Sequence, residues 1–292
     1  MKQVHIQMLG KSAAFPAGVT VEQAARTLLT QPQELLGAMC GGVCLELNAP
    51  VTENCTLTPL TYRDEEGRRI YERSLRFLFL LSLKRLYPGQ RARMLNSVGH
   101  GLYVRLMDEA MSADMVRAIE EDMRSLVQQD LPFQKESWTR EEAIAYFEKE
   151  GWADKAELLR YRPRNTIPMY RADCLCEYFY GAMLPSTGHV RVFRLKPHFP
   201  GVVLLSPDPA RPEQPAAYES HAKFLRAFST SQRWCGILGA NNAADVNRMI
   251  QEGRIREFIR VNEALHDRSI AAVADEILKR EARIVMIFGP SS

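Results

Sequence analysis

Between Arg69 and Leu86 the chain follows a helical pattern with almost no polar face, because Phe77, Leu78, Leu80, Leu81 and Leu83 crowd its centre. A helix so evenly apolar must be covered on several sides, so the chain has to build a shell around it. With 292 residues, 46% of them hydrophobic and 25% charged, it has the material to do so, and wholesale disorder is excluded. The most apolar run, Phe77 to Leu83, is bounded by Arg76 and Lys84. It falls far short of the roughly 20 residues that a membrane span requires. The N-terminus alternates polar and apolar residues through MKQVHIQMLGKS and lacks the apolar stretch of a signal peptide. A cytoplasmic protein with no membrane partner is expected.

The segments around the helix predict an α+β chain. Val4 to Met8 alternates like a strand, and Gly10-Lys11 suits the turn to a second one. Thr20 is placed to cap a helix over Val21 to Leu29, after which Met39, Cys40, Val43, Cys44, Leu45 and Leu47 return to strand-like spacing. Strand, strand, helix, strand, strand within about 60 residues is the order of a ubiquitin-like roll. Ser112 to Gln129 is an amphipathic helix, and Thr139 with Glu142 forms a capping box for another that runs to about Lys149. Beyond Pro163 the chain is rich in proline and β-formers, Pro207 to Pro215 is a loop, and Ala243 to Leu278 is helical with a break at Gly253. Arg283 to Phe288 reads as a short apolar strand. The expected division is 1–62, 63–238, a helical linker over 239–282, and the start of a further domain at 283–292.

Charge is unevenly spread. Residues 1–62 carry three basic and four acidic side chains, whereas 155–200 carry eight basic against three acidic ones. In that stretch Arg162, Arg164, Arg171, Arg191, Arg194 and Lys196 alternate with aromatic residues, a pattern able to meet phosphates and bases. A solvated face on a strand-rich domain is the more ordinary reading of the same pattern. Six cysteines without a C-x-x-C pair, and six histidines with none at i, i+4 on a predicted helix, indicate no metal site. Gly10-Lys11-Ser12 lacks the upstream glycine of a phosphate loop and is a turn. Gly289, Pro290, Ser291 and Ser292 follow an apolar run in the manner of such a loop's opening.

Phe15-Pro16-Ala17-Gly18-Val19-Thr20 with Asn48-Ala49-Pro50 resembles a TGS domain, the ubiquitin-like module that opens threonyl-tRNA synthetases. Tyr87-Pro88-Gly89, Asp130-Leu131-Pro132-Phe133, Tyr170-Arg171 and Leu184-Pro185-Ser186-Thr187-Gly188 resemble the editing (second additional) domain of those enzymes. That family's hydrolytic site draws two histidines from a helix and a cysteine and a histidine from the segment before Pro-Ser-Thr-Gly. The matching positions here are Arg73, Phe77, Phe179 and Met183. None titrates near neutral pH, so the resemblance implies a degenerate editing pocket and no hydrolysis of mischarged tRNA.

Tyr71-Glu72-Arg73-Ser74-Leu75, Tyr178-Phe179-Tyr180-Gly181, Gly253-Arg254-Ile255-Arg256-Glu257 and Glu263-Ala264-Leu265-His266 are similar to bacterial uridine kinase-like nucleoside kinases, which carry both domains ahead of a P-loop kinase domain. This resemblance implies a parent that transfers phosphate from ATP to a nucleoside with Mg2+. In that case Gly289 to Ser292 would begin its Walker A loop, and the 292-residue chain alone would be inactive, with no cofactor of its own. Two other readings stand beside it. One is an RNA- or nucleotide-binding module that uses the basic stretch. The other is a residual aminoacyl-tRNA deacylase that recruits His100, His189 or Cys176.

Overall fold

The computed structural model describes residues 2–219 and 222–287 of the chain. The chain divides into two compact units, one of Met1–Trp138 with Thr166–His221 and the other of Thr139–Asn165 with Ala222–Ser292. The expected α+β class is observed.

The first unit opens with β1 (Gln3–Met8) and β2 (Lys11–Pro16), an antiparallel hairpin whose register runs from Gln3↔Pro16 to Met8↔Lys11. Short β3 (Val19–Thr20) leads into α1 (Val21–Leu28), where Thr20 and Gln23 form a reciprocal capping box and Val21, Ala24, Ala25 and Leu28 are buried. Then come β4 (Gly37–Cys40), β5 (Val43–Leu45), β6 (Pro50–Val51), β7 (Cys55–Thr56) and β8 (Thr58–Leu60). Strand β1 lies between β2 and a parallel β7, and β4 lies between β5 and β8. The alternating sequence of β1 accounts for its face: Val4, Ile6 and Met8 are buried while Gln3, His5 and Gln7 are exposed.

Helix α2 (Glu65–Leu86) is the apolar helix of the sequence, with eleven buried residues. It shares its core with β9 (Ala92–Val98) and β10 (Gly101–Leu106), with α3 (Ala113–Gln129), and with β12 (Thr166–Ala172) and β13 (Leu175–Tyr178), which form one sheet with β11 (Gln134–Thr139). The unit is completed by β14 (Arg194–His198), β15 (Gly201–Leu205), β16 (Pro207–Asp208) and β17 (Arg211–Pro215). One sheet has the order β14-β15-β10-β9 and another β11-β12-β13. All five residues of β15 are buried, and one continuous core joins residues of the first 62 positions to those of α2, α3 and the later strands.

The Pro185–Gly188 segment is tied to the end of α3. Asp130 caps that helix in the left-handed conformation at φ +52°. Its carboxylate accepts from the Ser186 hydroxyl and from the Gly188 N–H at 3.1 Å. Thr187 Oγ1 donates to the Leu126 carbonyl at 2.6 Å and accepts from the Leu131 N–H at 2.8 Å. A Cβ on residue 188 would lie 2.1 Å from Asp130 Oδ1, so glycine is required there.

The second unit contains α4 (Arg140–Lys149), α5 (Ala153–Arg160), α6 (Ala222–Leu238), α7 (Ala243–Gln251) and α8 (Ile255–Lys279). Thr139 and Glu142 form the capping box that the sequence predicts for α4. The strand expected over 283–288 is corrected where it is described. Residues 284–287 have no regular structure, and Ile284 and Ile287 are 81% and 92% exposed. An apolar segment becomes a strand only when a neighbour takes its backbone hydrogen bonds, and no strand pairs with it among the described residues. Gly289, Pro290, Ser291 and Ser292 lie outside the described residues. Among those described, no helix is long and apolar enough to cross a membrane.

Candidate functional site

Helix α2 and the Tyr178–Leu184 segment bring Arg73, Phe77, Phe179 and Met183 to one region, and the pocket they would line is filled. Ser74 fixes the approach: its hydroxyl donates to the Ile70 carbonyl at 2.9 Å and accepts from the Leu184 N–H at 2.8 Å. Phe77 is fully buried, with its ring centroid 4.9 Å from that of Phe133 and 6.0 Å from that of Phe179. Met183 is 1% exposed. Arg73 donates from Nη1 to the Ala182 carbonyl at 3.1 Å. Its guanidinium also lies so close over Gly181 that a Cβ there would come within 2.7 Å of Cζ, and Gly181 has φ +106°.

One buried carboxylate reaches this region. Glu46, just beyond β5, is 8% exposed. It accepts from Lys135 Nζ at 2.8 Å, from the Tyr170 hydroxyl, and from the Met183 N–H at 3.4 Å. Burial, with the Glu46 charge second, pushes the Tyr170 hydroxyl far above its usual range, so it stays a proton donor. Sequence reasoning missed Glu46. Its signal was a carboxylate between Leu45 and Leu47 in a strand-like run, which has to find a partner.

Chemically, the four positions offer a permanent cation, two phenyl rings and a thioether. None can take a proton from water near neutral pH. The other groups considered for hydrolysis stand on separate elements. Cys176, on β13, is buried and its thiol is pushed up to about 11 by that burial. His100 sits at the exposed β9–β10 turn. His189 Nδ1 lies 2.7 Å from Ser186 Oγ, but the Ser186 proton goes to Asp130, so the imidazole donates and cannot act as base to that hydroxyl. Among the described residues no group of three or more His, Cys, Asp or Glu could hold a metal ion.

Desolvation holds the His189 pKa below its ordinary value, against the raising influence of Glu22 and Asp130. The folded protein therefore resists a proton that the unfolded chain accepts near pH 6.5. Where the unfolded state binds more protons, stability rises with pH. Stability is accordingly expected to fall between pH 7.5 and 5.5 in urea titrations, and less so in His189→Gln. An unchanged pH dependence in that variant would remove His189 as the cause.

The six basic candidates fall in both units. Arg162 and Arg164 belong to the second unit. Arg171 is held within the chain, with Nε 2.8 Å from Glu136 and its guanidinium 5.7 Å from the Trp138 ring centre. Arg191 donates from Nε to the Gly188 carbonyl at 2.8 Å and stays exposed. Arg194 and Lys196 project from the exposed positions of edge strand β14, with the buried Leu195 between them. Of the six, Arg191, Arg194 and Lys196 are thus the exposed cations of the first unit, within six residues of one another. Charged residues on an edge strand also oppose edge-to-edge pairing, which suffices to explain Arg194 and Lys196 structurally.

The chain is similar to threonine–tRNA ligases. It is 29% identical over 184 residues to that of Carboxydothermus hydrogenoformans, which covers 62% of this chain and 29% of the ligase. It is 27% identical over 189 residues to the ligase of Desulforamulus reducens, and 26% over 196 residues to that of Symbiobacterium thermophilum. No protein-family model matches the chain. The matched segment spans about 30% of the length of these relatives. The similarity fits the arrangement of a TGS module followed by an editing-like domain. It corrects the expectation of a uridine kinase-like transferase with a P-loop: the relatives found are threonine–tRNA ligases, and they give no support to nucleoside and ATP as partners.

Proposed function

We propose that this chain is an RNA-binding module, related to the editing region of threonine–tRNA ligases, that recognises tRNA without hydrolysing an aminoacyl ester. The observation that carries this reading is the ligase similarity over about two thirds of the chain, coupled to a pocket packed shut by Phe77, Phe133, Phe179 and Met183. A scaffold of this architecture whose matching positions hold a cation, two phenyl rings and a thioether, none of them a base near neutral pH, is suited to binding alone. The relatives act on tRNA, and the exposed Arg191, Arg194 and Lys196 are the cations best placed in the first unit to meet phosphates.

Phosphate contacts release counterions, so affinity falls linearly with salt on logarithmic axes, with a slope of about 0.7–0.9 per contact. Filter binding of unacylated tRNA between 50 and 300 mM salt, on the order of the range where such loss is steep, is expected to show this dependence. Combined replacement of Arg191, Arg194 and Lys196 by alanine is expected to reduce the slope by about 2. The half-life of seryl- and threonyl-tRNA is expected to be unchanged by the protein. A flat salt dependence, or deacylation above background, would overturn the reading.

A further inference from the structure

A second cavity lies on a different face of α2 from Arg73 and Phe77. Its helical lining is Arg68, Glu72, Leu75 and Arg76, and one residue step turns a helix by about 100°. The cavity measures about 340 Å3 and is closed on the opposite side by the β9–β10 turn and the end of β15. Its walls are apolar at Leu75, Leu102 and Leu204. Tyr62 forms a further wall, fixed by a hydrogen bond from its hydroxyl to the Pro207 carbonyl at 3.1 Å and by an edge-on contact with Tyr71 at 5.4 Å.

The polar groups at this cavity are incompletely used. Arg68, Glu72 and Arg76 stand at i, i+4 and i+8, in line along the helix. Arg76 meets Glu72 at only 3.4 Å, and Arg68 donates one Nη1 bond, to the Arg63 carbonyl at 2.8 Å. A guanidinium carries five N–H donors, so most remain open. Ser97, on β9, and His100, in the turn, also line the cavity, and their side chains make no hydrogen bond among the described residues. Two cations and one carboxylate thus border a chamber of mixed polarity, with a leucine wall beside a fixed aromatic ring.

We propose that this cavity binds a mononucleotide, with its phosphate at Arg68 and Arg76 and its base against Tyr62 and the leucine wall. Ligand pockets start at about 300 Å3, and this one is of the size for one such molecule. The planar forks of two arginines suit phosphate oxygens, as a point charge would not. Glu72, between them, accepts from a hydroxyl or exocyclic amine of the same ligand, which inorganic phosphate does not have. The inference is separate from the RNA reading, because its residues are not those of the Arg191–Lys196 surface.

The test is calorimetry on the full chain with AMP, GMP, CMP, UMP and inorganic phosphate in turn. Saturable binding of at least one nucleotide with a Kd on the order of 10–500 μM is expected, and at least about tenfold weaker binding of phosphate. Arg76→Ala is expected to weaken the nucleotide about tenfold, the loss of one or two charge-assisted bonds. His100→Ala, in an exposed turn, is expected to weaken it severalfold while leaving the unfolding midpoint in place. Neither variant should alter the salt slope of tRNA binding. Absence of saturation up to about 5 mM, a range weaker than any specific site of this kind, would overturn the proposal. So would phosphate that binds as well as the nucleotides, or nucleotide binding that both variants leave intact.

Discussion

Replacement of Phe77 by alanine is expected to destabilise the protein by about 3–5 kcal/mol, the range for truncating a buried aromatic side chain. Phe77 is fully buried and touches the rings of both Phe133 and Phe179. The cost includes lost transfer energy and the cavity left behind, which shrinks only if neighbours can move in. Here they are held. Phe133 is anchored by its N–H to the Pro185 carbonyl at 2.8 Å, and the following segment by Leu184 N–H to Ser74. Phe77→Leu, which keeps most of the volume, is expected to lose about 1 kcal/mol. Phe77→His buries an imidazole without a partner and should cost about 1–3 kcal/mol with no hydrolysis regained. Urea titration with an unchanged m-value is the measurement. A loss below about 1 kcal/mol for Phe77→Ala would mean that the pocket is not packed as described.

Glu46→Ala is expected to cost about 1–3 kcal/mol, because it removes the acceptor of the buried Met183 N–H, the partner of the Lys135 ammonium, and one of two acceptors of the Tyr170 hydroxyl, which keeps the Gly181 carbonyl at 3.1 Å. The upper end applies to pairs wholly out of water. The Lys135 side chain is 46% exposed, so solvent screens part of its attraction. Glu46→Gln keeps an acceptor for Tyr170 and Met183 and should lose about half as much. A double-mutant cycle with Lys135→Met separates the ion pair, expected at about 1 kcal/mol or less. Equal losses for Glu46→Ala and Glu46→Gln would assign the whole effect to charge and contradict the hydrogen-bond network.

The local features were legible because their physics is local. The capping box of α4 needs only Thr139 and Glu142, three residues apart, and the hairpin of β1 and β2 needs only alternation and a turn at Gly10. The unusual apolarity of α2 announced a helix covered on several sides, and it is so covered. That Arg73, Phe77, Phe179 and Met183 offer no group titrating near neutral pH could likewise be read along the chain.

The basic stretch shows the limit of reading along the chain. Proximity in sequence suggested one surface, but Arg171 finds Glu136, and Arg162 and Arg164 fold with another unit. The exposed run Ile284–Ile287 looked like a strand, although a strand exists only where another backbone accepts it.

By itself, then, the sequence determined most of the local elements and their caps, and that positions 73, 77, 179 and 183 carry no group that titrates near neutral pH. Only the tertiary structure decided that Phe133 would fill their pocket and that Glu46 would meet Lys135 and Tyr170, 89 and 124 positions away. Caps, turns and periodicity are set by neighbours a few residues apart. The partner of a buried charge is set by which distant segments the core brings into contact, and no short-range pattern records that.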